Sequence, residues 1–571
     1  MLGVRIMAKP YAIATSNEAF KQLAKQPIAF FSAEYAFDEN PPIYAGGLGI
    51  LAGDYLLEAS EQGLPVVAFG LFYRRGFEIF QRSSAANNFL TAPSPLGFEL
   101  LKEKEGKSLC INVELDDRTV CAQVWFKAYG TVHLFLLDTN LEENSSTDRE
   151  ITANLYPGDF QTRLLQEIVF GIGSVKLLRK LNITPSLYHL NEGHSGFVAL
   201  ALAIEYLHDH PSEKNFTKAL DANKSKIMAT KHTILPGSGI FFTREDFRGV
   251  FDGYLRRHKV SFDDFCLIGA WEKNPDVFSM TKFFLRSACR ANAVSRAHAF
   301  FEKETHPQSA LFPITNAIYL KRWRAQEWAG KNSANLSGQE IWDCRQVLRQ
   351  KLLDYVNEKT GGRLRSDVLT AVWARRLVAY KRPLLLFQNP HRLVNLVRDP
   401  KRPIQFIVAG LPHAADEEGI SFLKQIIAES RKPQYKGRVV YLPDYSLQSA
   451  KELARGADVW LNTPQRGNEA SGTSGMKASL NGALQFSTLD GWALEVKLPD
   501  FGWVLPEENI EEEVYNIFEG QIAPLFYERD GKGLPSLWIE KMRKAIDTIT
   551  RQFSTKRMLD EYFTKLYFPK T

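Results

Sequence analysis

The sequence predicts an α/β protein with two doubly wound, Rossmann-like domains that face a cleft. Apolar strand-like runs alternate with helix-like patterns in two separate segments, which is typical of parallel α/β architecture. A chain of 571 residues also exceeds what one ordinary hydrophobic core accommodates. Ligands of such sheets bind at the carboxyl ends of the strands, so we expect the functional site in the cleft.

The first predicted domain comprises residues 1–316. It opens with a strand-like run at 28–37, a glycine loop and a helix that begins near Leu48. Between about residues 98 and 138, apolar and polar positions alternate between turn residues, which predicts antiparallel hairpins inserted in this domain.

The second predicted domain comprises residues 317–545, after a hinge near 314–318. Four strand-like runs, each followed by a helical stretch, lie at 368–374, 404–410, 438–445 and 458–464. Residues 546–571 are expected to form a final helix that crosses back to the first domain.

Composition narrows the functional classes. The chain has 44% hydrophobic and 24% charged residues, and its 71 basic and 65 acidic residues give a net charge of only +6, which does not imply a nucleic-acid partner. The five cysteines are scattered without metal-ligand spacing, so we expect no metal and a reducing compartment. The N-terminal residues lack a secretory pattern, and the longest apolar stretch is shorter than the ~20 residues that span a bilayer. We therefore expect a cytoplasmic protein without a membrane partner.

The most informative segment is GNEASGTSGMKASLNGALQFSTLDGW, residues 467–492. It follows a predicted strand, so Ser471 to Gly475 should turn tightly into a helix whose N-terminus attracts an anion. Lys477 would lie in the first helical turn, where the helix dipole favours a neutral amine that can form a Schiff base with an aldehyde cofactor. From these residues alone, a solvated surface lysine is the alternative.

A second segment, WARRLVAYKRP, places four cations around one strand-to-helix loop. These cations are Arg375, Arg376, Lys381 and Arg382, and Pro383 would begin the next helix. Such a loop at the carboxyl edge of a sheet can clamp a phosphate, although a basic exposed turn is the alternative.

Two further segments are ambiguous by themselves. IYAGGLGILAGDYL, from Ile43 to Leu56, has the spacing G-x-G-x-x-x-G, which is not the dinucleotide-binding fingerprint. HLNEGHSGF contains His194 but not the HExxH of a zinc protease, so His194 is either a ligand-binding side chain or a buried, hydrogen-bonded helix cap.

Together, EASGTSGMKASLNG and RRLVAYKR resemble motifs of the α-glucan (glycogen, starch or maltodextrin) phosphorylase family in its short bacterial and archaeal form. The resemblance runs from about residue 28 to 496. It implies a GT-B arrangement, pyridoxal 5′-phosphate as the cofactor, and reversible phosphorolysis of terminal α-1,4-glucosidic bonds to α-D-glucose 1-phosphate with retention of configuration.

The resemblance also implies roles for individual residues. Those implied in catalysis are Lys477, Arg376, Lys381 and His232. Those implied in cofactor binding are Lys477 as the attachment point, Gly47, Arg375, Tyr445 and Gly475. Those implied in binding the glucan or inorganic phosphate are Gly46, Asn316, His194, Glu469, Ala470, Ser471, Gly472 and Thr473.

The chain departs from the family pattern at three positions. Leu411 stands where a lysine is usual, Ala317 where a glycine is usual, and Ser446 where the long forms carry an arginine. These departures bear on the tightness of sugar and phosphate binding. No segment that resembles the regulatory extensions of the long forms is recognisable in the sequence. Whether the protein is under allosteric control stays open.

The implied mechanism uses two phosphates rather than two carboxylates. No carboxylate pair of the kind that hydrolases use is evident in these motifs. The substrate phosphate would instead protonate the leaving oxygen, with the cofactor phosphate as its proton source. The alternatives are a glycogen synthase-like glycosyltransferase, which lacks the cofactor lysine, and an inactive glucan-binding relative. Glucan length, branching and oligomeric state stay open, and a homodimer rests on family analogy.

Overall fold

The computed structural model describes residues 23, 26–37, 43–77, 97–234, 240–305, 310–443 and 445–569. It is a mixed α/β protein with large parallel sheets and many helices, as the sequence predicts. The strands are β1 Ile28–Ser32, β2 Val66–Leu71, β3 Glu99–Leu100, β4 Cys110–Glu114, β5 Thr119–Tyr129, β6 Val132–Asp138, β7 Leu187–Asn191, β8 Ile227–Lys231, β9 Phe241–Thr243, β10 Ala270–Trp271, β11 Asn274–Ser279, β12 Arg290–Ala293, β13 Phe312–Pro313, β14 Leu369–Ala374, β15 Ile404–Ala409, β16 Val439–Leu442, β17 Val459–Asn462, β18 Leu484–Ser487 and β19 Gly502–Val504.

Helices connect most of these strands. The α-helices are α1 Gly47–Glu61, α2 Phe160–Lys180, α3 Phe197–Asp209, α4 Phe216–Lys224, α5 Arg244–Arg257, α6 Phe262–Gly269, α7 Met280–Ser287, α8 Arg296–Thr305, α9 Leu320–Trp323, α10 Gly338–Thr360, α11 Pro390–Arg398, α12 Glu417–Ser430, α13 Leu447–Gly456, α14 Ser474–Ser479, α15 Ile510–Ile517, α16 Ala523–Tyr527, α17 Ser536–Gln552 and α18 Thr555–Glu561. Two π-helical segments, Phe518–Ile522 and Tyr562–Tyr567, extend α15 and α18.

The first large sheet has ten strands in the order β13-β12-β8-β7-β1-β2-β6-β5-β3, with β4 paired to β5. Pairing is parallel from β13 to β6. Strands β3 to β6 pair antiparallel within residues 99–138. The description of this region as an insertion in a GT-B domain stays a prediction.

The second large sheet has six strands in the order β16-β15-β14-β17-β18-β19, and all its pairings are parallel. Its central strands β14 and β15 are buried along their whole length. Burial on both faces explains why these strands read as continuous apolar runs rather than as alternating patterns. Since all strands point the same way, the loops after β14 and β17 emerge at one edge of the sheet.

The C-terminal residues pack on the core of the first sheet. Met558, Phe563 and Leu566 belong to the same apolar cluster as that sheet. The hydroxyl of Tyr567 lies 2.6 Å from Nδ1 of His189 on β7. These contacts place the end of the chain against the first sheet, whereas the predicted domain boundaries themselves stay predictions.

Two properties limit what the described part of the chain can do. None of its helices is long and apolar enough to cross a membrane. In the same residues, no group of three or more His, Cys, Asp or Glu side chains could hold a metal ion.

One local prediction is wrong. The helix expected to begin at Pro383 begins instead at Pro390. Arg382 adopts a left-handed backbone with φ of 50°, which ends a short 3-10 turn over Ala379–Lys381 and redirects the chain before a helix can start.

Candidate functional site

The loop between β17 and α14 needs glycine at two positions because other groups approach it closely. A Cβ atom on Gly475 would lie 2.6 Å from Oε1 of Gln485. A Cβ atom on Gly472 would lie 2.7 Å from Oε1 of Glu469 and 3.1 Å from Nη2 of Arg375. The loop therefore carries a charged pair directly against its backbone.

Lys477 lies in α14 and is buried, with only 8% of its surface exposed. Its Nζ atom lies 4.1 Å from the ring centre of Trp323. Burial lowers the pKa of this amine to about 7, while Asp54 opposes that effect and Arg322 adds to it. These contacts exclude a solvated surface lysine. Because α14 has only six residues, burial rather than the helix dipole is the main reason for a neutral amine.

Two of the predicted cations share one carboxylate. Nη2 of Arg375 lies 3.0 Å, and Nζ of Lys381 3.6 Å, from Oε2 of Glu469. Burial alone would raise the pKa of Glu469, but Arg375 and Lys381 outweigh burial and hold that pKa below its usual range. The pKa of Lys381 is lowered to about 7, chiefly by burial; Glu469 opposes this effect, and Arg375 and Arg376 add to it. The structure thus brings Arg375, Arg376, Lys381 and Glu469 together.

Arg376 and Arg382 differ from the other two cations of this loop. Arg376 is exposed, and within the described residues no hydrogen bond or ion pair holds its guanidinium. Arg382 instead pairs with the carboxylate of Glu507 at 2.5 Å and donates to the carbonyl of Pro464 at 3.2 Å. Its part in the predicted phosphate clamp stays a prediction.

The loop from Glu469 to Thr473 is held from both sides. Its first amide donates to Oδ2 of Asp490 at 2.8 Å. The hydroxyl of Ser295 donates to the carbonyl of Ala470, and Nδ2 of Asn316 donates to the carbonyl of Ser471 at 3.3 Å. Thr473 precedes α14 as its N-cap residue. Asn316 thus contacts the predicted binding loop directly.

Several buried polar atoms around this loop have no hydrogen-bond partner within the described part of the chain. They include Nη1 of Arg375, Oδ1 of Asn316 and Oγ of Ser471, and elsewhere both ring nitrogens of His194 are also unpaired. Buried donors and acceptors are costly to leave unpaired, so this set suits a polar ligand with several oxygen atoms.

The glycine loop lies at the start of α1. Gly46 and Gly47 are exposed, and a Cβ atom on either would meet open space. Oε2 of the buried Glu34 accepts the N–H groups of Ala45 at 2.7 Å and Gly46 at 3.1 Å. The other oxygen of Glu34 accepts the hydroxyl of Tyr156 at 2.7 Å. The Gly46 amide is thus engaged by a carboxylate, which leaves the Gly47 amide at the helix N-terminus for an outside anion.

His232 is fixed by the strand ends of the first sheet. Glu192, whose backbone is left-handed with φ of 81°, accepts the N–H groups of His232 and Thr233, both at 2.8 Å. Nε2 of His232 lies 2.7 Å from Oδ1 of Asn191. Burial lowers the pKa of His232 to about 4 against the opposing charge of Glu192, so the ring is neutral at pH 7.

His194 lies in a short 3-10 turn before α3, with its ring 5.2 Å from that of Tyr156. Burial and the nearby charge of Arg163 lower the pKa of His194 to about 3, while Glu192 opposes them. The alternative of a hydrogen-bonded cap fails because neither ring nitrogen finds a partner among the described residues.

Comparisons with known proteins show the family to which this chain belongs. The profile of the carbohydrate phosphorylase family matches residues 329–503. A glycogen phosphorylase of Aquifex aeolicus is 34% identical over 96% of this chain and 87% of its own length. The chain belongs to the carbohydrate phosphorylase family. A maltodextrin phosphorylase of Thermococcus litoralis is 32% identical over 95% of this chain and 70% of its own length. A glycogen phosphorylase of Mycobacterium tuberculosis is 34% identical over 95% of this chain and 71% of its own length.

In this phosphorylase, local packing accounts for two of the three departures. Ser446 caps α13 by accepting the N–H of Ser449 at 3.3 Å. Ala317 is fully buried in the core. Leu411 is half-buried beside Gly410, whose Cβ position lies 1.8 Å from the carbonyl oxygen of Arg375, and nothing in the structure explains the leucine. The neighbouring Tyr445 donates to the carbonyl of Ala374 at 3.2 Å, and burial raises the pKa of its hydroxyl to about 12.

Several residues that shape the site of this phosphorylase escaped the sequence analysis. They are Asp54, Glu192, Trp323, Tyr156 and Asp490. Asp54 lies in the glycine-rich segment from Ile43 to Leu56, and Glu192 lies in HLNEGHSGF, two residues before His194. Burial of these carboxylates, which would have identified them, is not visible in the sequence.

Replacing Glu192 with glutamine should lower the free energy of unfolding by about 1–3 kcal/mol, because an amide nitrogen cannot accept the N–H groups that the carboxylate now accepts. Denaturant titration measures the loss. Glu213 provides a matched control, since its exposed carboxylate also accepts two backbone N–H groups, from Lys214 and Asn215. Equal, small effects of Glu192→Gln and Glu213→Gln would contradict the prediction.

Proposed function

We propose that this chain is an α-1,4-glucan phosphorylase that uses inorganic phosphate to cleave terminal α-1,4-glucosidic bonds, releasing α-D-glucose 1-phosphate with retention of configuration. The observation that carries this proposal is a buried lysine amine in the helix that follows a loop whose Glu469 carboxylate pairs with two cations. Relatives named glycogen and maltodextrin phosphorylase, which this chain matches over most of its length, support the reaction class.

Pyridoxal 5′-phosphate is the cofactor that we infer for Lys477. The residues fit it, because an amine with a pKa of about 7 is partly unprotonated at neutral pH and can react with an aldehyde. Arg375 has an unpaired, buried Nη1, and Gly47 offers a helix N-terminal amide for a phosphoryl group. Tyr445 and Gly475 would be the other residues that line the cofactor site. When bound, the cofactor supplies a phosphoryl group that exchanges a proton with the substrate phosphate.

The remaining residues would position the substrates. Arg376 and Lys381 would hold inorganic phosphate, whose negative charge keeps Lys381 protonated against the effect of burial. His232 is neutral and would hydrogen-bond the hydroxyl groups of the terminal glucose. Asn316 and His194 offer unpaired, buried polar atoms for further hydroxyl groups of the glucan. Concentrated positive charge would stabilise the phosphates while the glycosidic oxygen takes up its proton.

We further infer a GT-B arrangement, with domains at 1–316 and 317–545 and a C-terminal segment at 546–571. It is supported by hydrogen bonds from Ser295 and Asn316 to the Glu469–Thr473 loop, which connect the regions of the two sheets. A cytoplasmic location and a homodimer stay predictions.

Borohydride reduction followed by peptide mapping tests the cofactor and separates this function from a glycogen synthase-like glycosyltransferase. The proposal expects a pyridoxyl group on Lys477. Absence of that group, or its attachment to another lysine, would overturn the proposal. Formation of glucose 1-phosphate from maltodextrin and phosphate by the same preparation then excludes an inactive glucan-binding relative.

Replacing Lys381 with alanine should lower the rate of glucose 1-phosphate formation by about 100-fold, because a cation on the substrate phosphate is lost. Circular dichroism should show an unchanged fold. Lys401→Ala is the control, since Lys401 is an exposed lysine just before β15 of the same sheet. A Lys381→Ala variant with near-normal turnover would remove Lys381 from its role.

A further inference from the structure

Asp54 is a buried carboxylate on α1, the helix that begins at the glycine loop. Its Oδ2 atom accepts the indole N–H of Trp323 at 2.8 Å and the backbone N–H of Tyr319 at 3.1 Å. Its Oδ1 atom accepts Nη1 of Arg322 at 3.0 Å. One side chain of the glycine-loop helix therefore fixes three groups in and next to α9.

The indole that Asp54 holds is the one that covers Lys477. Nζ of Lys477 lies 4.1 Å from the centre of the Trp323 ring. Nδ2 of Asn481 donates to the carbonyls of both Trp323 and Lys477, at 3.0 and 2.9 Å. The backbones of the two residues are thus tied together, and Asp54 sets the orientation of the ring between them.

Two charged side chains also act on the Lys477 amine. Of the charged groups in the described residues, Asp54 on α1 and Arg322 on α9 act on Lys477, and they do so with opposite sign. Asp54 and the side chain of Arg322 are both buried, with 1% and 5% exposure, so water screens neither charge effectively. The two charges therefore act on the amine in opposite directions, and removal of either partner leaves the other unopposed.

We propose that Asp54 is a positioning residue for the cofactor lysine, which holds the Trp323 ring against the Lys477 amine and offsets the charge of Arg322 beside it. This inference rests on the proposed function, because it concerns attachment of the aldehyde to Lys477. In that step the amine nitrogen bonds to the aldehyde carbon, and the carbonyl oxygen leaves as water after taking up two protons, those lost by the amine. Only the unprotonated amine begins the reaction.

The test follows attachment of added pyridoxal phosphate to the full chain, after hydroxylamine treatment and desalting, by absorbance from pH 5 to 9. For the unmodified chain, the rate of attachment should rise with pH, with a midpoint at about pH 7. Asp54→Asn should lower the midpoint by about one pH unit, since Arg322 then acts unopposed. The unprotonated fraction of the Lys477 amine at pH 6 then rises from about one tenth to about one half. Attachment at pH 6 should therefore be about fivefold faster in the variant. Arg322→Met should move the midpoint upward.

Asp138→Asn is the matched control, because Asp138 is also buried and accepts the indole N–H of Trp125 at 3.2 Å. It should leave the midpoint unchanged. An Asp54→Asn variant that is slower at every pH with the same midpoint would overturn the inference, and so would an equal shift in Asp138→Asn. If Asp54→Asn does not fold, an unmoved midpoint in Arg322→Met overturns it instead. Failure of the unmodified chain to attach the aldehyde would overturn the proposed function, a separate outcome.

Discussion

The amine of Lys477 lies beneath the Trp323 ring, where little water reaches it, and an amine in such a place loses much of its affinity for a proton. The rest of the site follows from this constraint. A helix carrying that lysine must approach β18 closely, which requires glycine at 475. The charges of Asp54 and Arg322 act on its amine in opposite directions. Attachment of an aldehyde then needs no further base to remove a proton from the amine.

In the loops that precede this helix, positive charge is gathered, and the buried cations Arg375 and Lys381 share one carboxylate. Glu469 compensates Arg375 and Lys381, and Asp490 fixes the backbone from which Glu469 extends. Such a set of buried charges is stable only while each has a partner. It still carries more cations than carboxylates, with Arg376 exposed at its edge. The site is therefore suited to anions, and it matches a reaction in which two phosphates approach each other.

Sequence analysis found the groups whose chemistry is encoded locally. Lys477 and the cations after β14 stand in short motifs, and alternating strand and helix patterns identify the parallel sheets. It could not find Asp54 or Trp323, because their importance arises from contacts between residues that lie hundreds of positions from Lys477 or from each other. The helix expected at Pro383 begins later because of a left-handed residue, Arg382, that no propensity reveals. Engagement of the Gly46 amide by Glu34 likewise depends on a fold-level contact.

The account depends on a cofactor aldehyde bonded to Lys477, with its phosphoryl group close to the cations of the β14 loop. A crystal structure of the chain with pyridoxal phosphate and inorganic phosphate tests this most directly. The account predicts continuous density from Nζ of Lys477 to the cofactor ring, and a second phosphate beside Arg376 and Lys381. An unmodified Lys477 amine, with both phosphates bound elsewhere, would contradict it.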